Sequence, residues 1–564
     1  MGKVRKILSS SYFLDITVLI FLIVVCAVFL GNHFVWIFSD RGREFLFPQM
    51  FLEGLKPYKD ITLIYFPLGY YINAFVYKVL GVNFSSLLIS QSIVCSLFIS
   101  VFYLISREFL PRFLALFFNI FLVSCCIFAS NDLFSYIMPY SYSRVYGILG
   151  AGLFLYCFIK LFKTEKIVYL YLASLFTGFS LSSKLEFFCV FLMFIFGLFL
   201  YKRLTVKEYF KAFLCFLCFP LISLFLLFGV SFSEIKDSIK FAFDFASTPV
   251  MTQFLSLAGL YPFELRENFR QFLVDLPSFL SVLAVTMGCF FVNLKCRRII
   301  SVPVLILGIA FLYYISFGKN EFWVWVPFAF LLLLLSGFNK IKTDKTVLFL
   351  VISCLFFGQR EFFKLSVIDY GTYSLPFIFL GFLAIINKIF SEKNTEKYLS
   401  FLLLSFSLVY FFGLFSERYI SNYKIETPKG SIYTTENNKK LIAGAVDYIL
   451  NNTDKNDTLL VLPEGNIFNF ITDRKVDLKC FMMDRLYHDA YGEKRAKEKI
   501  ENSKSDYIFI IKNDDIYDFE RPELYSENSE TESAKYIFAD YEKQTRISGK
   551  DENNFIDIYK RVEK

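Results

Sequence analysis

Over roughly the first 420 residues, long apolar segments are joined by connections that alternate, one after the next, between basic and polar or acidic. In a chain that crosses a membrane Lys and Arg gather on the cytoplasmic side, so the alternation assigns a side to every connection before any fold is known. The basic set comprises the N-terminus (Lys3, Arg5, Lys6), Arg107 to Arg112, Lys160 to Lys166, Lys202 to Lys211, Lys295 to Arg298, Lys340 to Lys345 and Lys388 to Lys397. Between them fall 36 to 66, 131 to 144, 182 to 186, 232 to 276, 318 to 322 and 359 to 373, where acids match or outnumber bases. These are expected outside.

Three outer connections hide inside stretches that read as unbroken. From Ile167 to Tyr201 only Lys184 and Glu186 interrupt. About 35 residues in one helix would reach roughly 50 Å against a hydrocarbon core of about 30 Å, and both ends are basic. Two spans with an outer turn near Ser182 and Ser183 satisfy length and charge together. The same reasoning splits 299 to 338 at Lys319 to Glu321 and 346 to 387 around Arg360 to Asp369. The count is about 13 spans, with the N-terminus cytoplasmic and the C-terminus outside.

Composition agrees. With 56% hydrophobic residues and 75 Phe in 564, the chain belongs with polytopic α-helical membrane proteins. Loop bases account for the net charge of +8, and no basic cluster interleaves with aromatics as a nucleic-acid groove requires, so nucleic acid is not an expected partner. The run Tyr12 to Leu30 lacks a small-residue cleavage site and reads as a retained first span. Eleven of the 12 Cys lie in or beside apolar spans, so no disulfide framework is indicated, and Cys215 with Cys218 reads as helix packing. With His33 and His488 the only histidines, acid-base work falls to carboxylates.

Near Ser421 the chain changes character. Residues 421–564 are polar, with helical patterns at Asn437 to Leu450, Ile467 to Thr472 and Glu493 to Ile500 and strands at Thr458 to Leu462 and Tyr507 to Lys512. This predicts a small extracytoplasmic α/β domain after a transmembrane domain of residues 1–420, whose first outer loop spans 36–83. Glu520 to Lys535 reads as a solvated acidic loop. In the connection 232 to 276, Phe241 to Phe245 and Gly259 to Phe263 are expected to lie along the membrane interface, as gates or anchors.

The first outer connection carries the most specific pattern. It runs Ser39-Asp40-Arg41-Gly42-Arg43-Glu44, then Glu53-Gly54-Leu55-Lys56-Pro57-Tyr58-Lys59-Asp60, then Tyr65-Phe66-Pro67-Leu68-Gly69-Tyr70-Tyr71. Further on come Pro139 to Ser143, Tyr370 to Pro376 and Leu462 to Asn466. In order and common side these resemble the GT-C glycosyltransferases, the polytopic enzymes that include protein O-mannosyltransferases and lipid A aminoarabinose transferases. The resemblance covers nearly the whole chain. It implies transfer of a sugar from a polyprenyl-phosphate donor to an envelope glycan, lipid or protein acceptor on the outer face of the inner membrane, with inversion.

On that resemblance Asp40 is the candidate base and Asp132 a second catalytic acid that orients acceptor or metal, with helix capping as its alternative. Many relatives follow the first acid with another acid. Here Arg41 follows, which is expected to hold Asp40 ionised and leaves a divalent metal ion undecided. Glu44 and Asp60 support the loop, Asp60 with an equal claim to a turn role. For the leaving phosphate the candidates are Lys184, Arg360, Lys319 and Arg144, bases at outer helix ends where the charge rule disfavours them. Pairing with Glu186, Glu321 and Glu361, or contact with membrane lipids, explains each equally well. Glu464-Gly465-Asn466 resembles a strand-to-helix turn of nucleotide-binding folds but lacks the phosphate-binding glycines, which favours packing over the active-site face or acceptor recognition.

Two other classes stay in view. An O-antigen polymerase or ligase type enzyme concentrates Arg and His in one large outer loop, and this chain has a tail instead of the histidines. A transporter or flippase of lipid-linked sugars places charges in mid-span and repeats its halves, whereas the charges here stand at helix ends.

Overall fold

The computed structural model describes residues 11–34, 37–38, 40–63, 65–129, 131–249, 251–252, 325–358, 370–390, 393–420, 422–476, 483, 485–513, 522–550 and 553–562, with single positions between 277 and 308. Lys319, Arg360 and the stretch Gly259 to Phe263 lie outside the described residues. So do segments between 253 and 324 that enter the expectation of about 13 spans.

Among the described residues five helices are long and apolar enough to cross a membrane: Ser11–Leu30, Phe84–Phe109, Tyr142–Thr164, Val206–Leu226 and Asn394–Ser416. Shorter apolar helices accompany them at Arg112–Ile127, Val168–Ser183, Leu185–Tyr201, Ala329–Ile341, Lys345–Phe357 and Leu375–Ile389. Their outward faces fit hydrocarbon. Val206–Leu226 exposes Phe210, Phe213, Leu221, Leu224 and Phe225, and Ser11–Leu30 exposes Phe21, Val28 and Phe29. Apolar surface of that extent is not stable in water, while helices satisfy their own backbone in lipid.

The apolar stretch from Ile167 to Tyr201 is two helices, as length and charge require. Val168–Ser183 ends where Lys184 turns extended, and a 3-10 turn at Leu185–Phe187 starts the return. Contacts then sort the connections into two ends. At one end Arg112 grips Asp15 in a two-point ion pair at 2.7 and 2.8 Å, Lys163 meets Glu108 at 2.6 Å, Arg203 meets Glu165 at 2.6 Å and Lys388 meets Asp344 at 3.0 Å. At the other end the acidic connections meet: Tyr142 N–H donates to Glu44, Tyr136 OH to the Thr372 carbonyl, and Arg144 pairs with Glu186. The alternation along the chain thus becomes a segregation in space.

After helix Lys393–Ile420 the chain forms a hairpin, β1 (Tyr423–Ile425) with β2 (Ile432–Thr434), then helix Glu436–Asn452 and a four-stranded sheet. Its strands are β3 (Leu459–Leu462), β4 (Tyr507–Lys512), β5 (Tyr541–Ser548) and β6 (Phe555–Arg561), in the order β3-β4-β6-β5, with β3 and β4 parallel and the rest antiparallel. Side chains alternate across a strand, so each sheet face gathers its own set. Leu459, Val461, Phe509 and Ile511 face one way, into a core continuous with the membrane helices. Leu460, Leu462, Ile508 and Ile510 face the other way and pack with Phe241 and Phe245 of helix Phe232–Ala246. Both faces therefore bind the tail to the rest of the chain.

Two expectations are corrected. Phe241 and Phe245 are buried against the tail, while Phe243 between them stays exposed. Phe241 stacks on Tyr491 at 5.5 Å, in the tail helix Arg485–Tyr491, because an amphipathic face is equally well covered by protein. The acidic segment 520–535 is not all solvated loop. Tyr525 is fully buried, its hydroxyl donating to the Met483 carbonyl and meeting His488, and Thr531 caps helix Glu532–Asp540.

Candidate functional site

The first outer connection enters its helix through Asp40, whose backbone sits at φ 43°, the left-handed region that residues with a Cβ rarely adopt. Two contacts hold it there. Its N–H donates to Glu464 Oε1 at 3.0 Å, and its carboxylate pairs with Arg43, one helical turn on, at 2.5 Å. The helix that follows, Arg41–Leu52, is buried at ten of its twelve positions, Arg41, Arg43 and Glu44 among them. Charges so enclosed must find partners inside the protein.

Arg41 finds Asp132. Their ion pair is fully buried, a second guanidinium nitrogen donates to the Met138 carbonyl at 3.2 Å, and the group lies 4.9 Å above the Phe34 ring. In a helix the i to i+3 position faces back toward the first turn, so Arg43 is the arginine that pairs with Asp40, and Arg41 points to the neighbouring connection. Capping near Asp132 falls to Asn131, whose side chain accepts the Leu133 N–H at 3.2 Å.

Glu44 accepts from Tyr70 OH at 2.7 Å and from Tyr142 N–H at 3.2 Å. Burial pushes its carboxyl up to about 7, against the pull of Arg43 and these hydrogen bonds. Asp60 accepts the Lys56 N–H at 2.7 Å, which is the turn role.

Beyond Asp40 the cations stand in a row over aromatic rings. Arg43 lies 5.8 Å from the centre of the Tyr65 ring and Lys184 lies 4.5 Å from it. Lys184 is 3.6 Å from Glu186, whose other oxygen meets Arg144 Nε at 2.9 Å. Arg144 also donates to Tyr140 OH at 3.0 Å and lies 4.3 Å over Tyr373. The pairing with Glu186 that the sequence left open for both bases is thus present. Behind Arg144 and Glu186 opens a cavity of about 200 Å³ walled by Ile148, Phe187, Phe356, Phe357, Tyr373 and Phe377. Its lining joins one charged pair, Arg144 and Glu186, to mostly apolar and aromatic walls.

The structure brings together Asp40, Arg41, Glu44, Asp132, Arg144 and Lys184, and keeps Asp60 in its turn. Sequence reasoning gave no role to Arg43 or Tyr65 and did not pair Glu464 with Asp40. Arg43 had a local signal in its spacing from Asp40, while Glu464 stood in a turn expected to pack over the active-site face, with no signal for its pairing to Asp40 424 residues away. The donor set does not suit a divalent ion: among the described residues no three of His, Cys, Asp and Glu converge, and Asp40 and Asp132 each face a guanidinium.

No family model matches the chain, and no curated protein matches it. Among solved structures it is similar to ArnT from Cupriavidus metallidurans bound to undecaprenyl phosphate, at 10% identity over 96% of this chain and 97% of that one, with a TM-score of 0.44. It is also similar to the Archaeoglobus fulgidus oligosaccharyltransferase in complex with Zn and sulfate, at 11% identity over 88% of this chain and 67% of that one, TM-score 0.46. A third is the oligosaccharyltransferase AglB from Archaeoglobus fulgidus with an inhibitory peptide and a dolichol-phosphate, at 12% identity over 88% and 69%, TM-score 0.46.

Proposed function

We propose that this chain is a GT-C type membrane glycosyltransferase that takes a sugar from a polyprenyl-phosphate carrier and passes it to an envelope acceptor outside the cytoplasm. The observation that carries the reading is the arrangement at the acidic end: a carboxylate, Asp40, paired with Arg43, which shares the Tyr65 ring with Lys184, and Lys184 joined through Glu186 to Arg144, which lines an apolar-walled cavity. A lipid-linked phosphate asks for those groups in that order. The prenyl chain takes the apolar wall, and the cations stabilise charge gathering on the leaving phosphate.

In the step proposed, an acceptor hydroxyl attacks the anomeric carbon while the bond from that carbon to the phosphate oxygen breaks and its electron pair leaves with the phosphate. The proton of the hydroxyl passes to Asp40. Attack and departure on opposite faces of the sugar give inversion. Arg43 keeps the Asp40 carboxylate aimed. Asp132, occupied by Arg41, is assigned here to fixing the loop and not to the reacting atoms, and Asp60 to the turn. With a hydrophobic first span and bases gathered at the opposite end, the acidic end and the tail are assigned to the extracytoplasmic side of a bacterial inner membrane.

Purified protein given a panel of polyprenyl-phosphate sugars tests the proposal. Wild type consumes at least one donor, and Asp40→Asn lowers kcat by about 10²- to 10⁴-fold, the usual contribution of a positioned base. Equal turnover in both removes Asp40 from the reaction. Movement of intact carrier across vesicles, without bond cleavage, would replace the enzyme with a transporter.

A further inference from the structure

The geometry assigns to Glu464, in the C-terminal tail, the role of positioning residue for Asp40, which makes the tail part of the active site. This rests on the glycosyltransferase reading above.

Asp40 is in a backbone conformation that a residue of its kind keeps only when its surroundings impose it. Part of that imposition comes from 424 residues away, through the hydrogen bond from its N–H to Glu464 Oε1. Glu464 is itself buried, at 4% exposure, and an enclosed carboxylate is stable only with donors and positive charge around it. It has the Asp40 amide and, close by, Arg43: burial works against the charge on that guanidinium, and Asp40, Tyr65, Glu464 and Tyr70 together outweigh it. One arginine is thus shared between the base and the tail.

Glu464 is also fixed from behind. It lies between β3 and helix Ile467–Thr472, and a Cβ at Gly465 would collide with Val461 and Ile511. The helix abuts the first loop so closely that a Cβ at Gly42 would run into the backbone of Asn466 and Ile467. Phe468 lies against Phe38, and Phe470 stacks on Phe45 at 5.5 Å. A tail anchored on both sides of Asp40 leaves the Glu464 carboxylate little freedom to move away.

The test compares Glu464→Ala, which removes the acceptor oxygen, with Glu464→Gln, which retains one, in full-length protein in lipid nanodiscs. Hydrogen exchange at the Asp40 amide should speed up at least tenfold in the alanine variant and stay within threefold of wild type in the glutamine variant. Donor consumption should follow, with kcat about 10- to 100-fold lower for alanine, donor KM within twofold, and most of the rate restored by glutamine. Wild-type exchange and kcat in Glu464→Ala overturn the assignment. So does an equal loss in kcat and KM that glutamine fails to rescue. If wild type consumes no donor the glycosyltransferase reading fails, and the exchange comparison alone still decides whether the tail holds Asp40.

Discussion

Arg41 and Arg43 lie two residues apart on one buried helix, and the direction each takes decides what its neighbourhood is for. Arg41 closes on Asp132 with both groups out of water, so removing one partner strands a charge. Arg41→Met should cost about 3–5 kcal/mol in unfolding free energy, and adding Asp132→Leu should recover most of it, as read from thermal unfolding in detergent. Glu44 supplies a pH dependence of known sign. Its carboxyl rises from an ordinary 4.5 to about 7 because burial disfavours the charged form. The folded chain therefore binds that proton more tightly than the unfolded one, and the stability it lends is full below pH 4.5 and lost as pH climbs through about 7. Melting temperature should fall across that window in wild type and fall less in Glu44→Gln; parallel curves would assign the dependence elsewhere. Asp40, Glu44 and Arg144 were legible as candidates because the first two stand in the first-loop motif and Arg144 runs against the charge rule. The pairings were not, since which guanidinium meets which carboxylate is settled by packing between distant connections.

Helix Ile467–Thr472 shows what could be read at the scale of elements. Its bounds, and those of β4, match the periodicity of the sequence, because both are short runs of apolar residues between clear breakers. β5 escaped notice for an equally physical reason: it is an edge strand with most of its side chains exposed, so it lacks an apolar alternation to read. What the sequence does not tell is where such a helix docks. Phe470 is buried among Phe45, Phe84 and Tyr77, with ring centres 5.5, 5.2 and 6.1 Å away. Phe470→Ala should loosen the tail from the first loop at a cost of about 3–5 kcal/mol. Protease sites between 421 and 564 should then be cut faster, with the membrane helices left intact; unchanged cleavage would show that the hairpin and the Phe232–Ala246 helix hold the tail without it.

The molecule as a whole is organised by sidedness. Basic connections meet at one end in pairs such as Lys163 with Glu108, and the acidic loop, the tail and the cavity meet at the other. That division was the most legible feature of the sequence, because charge acts on each connection separately and needs no knowledge of contacts. The active site proposed here depends on it, since a base, a row of cations and a tail clamp at one end work on a lipid-linked donor only where that donor is presented. Labelling in intact cells with a membrane-impermeant thiol reagent tests this most directly, in a background whose native cysteines are replaced. A cysteine placed at exposed Asn528 in the tail should label without permeabilisation, and one at exposed Lys166 at the basic end only after it. Label at Lys166 in intact cells, or none at Asn528 until the membrane is opened, would contradict the account.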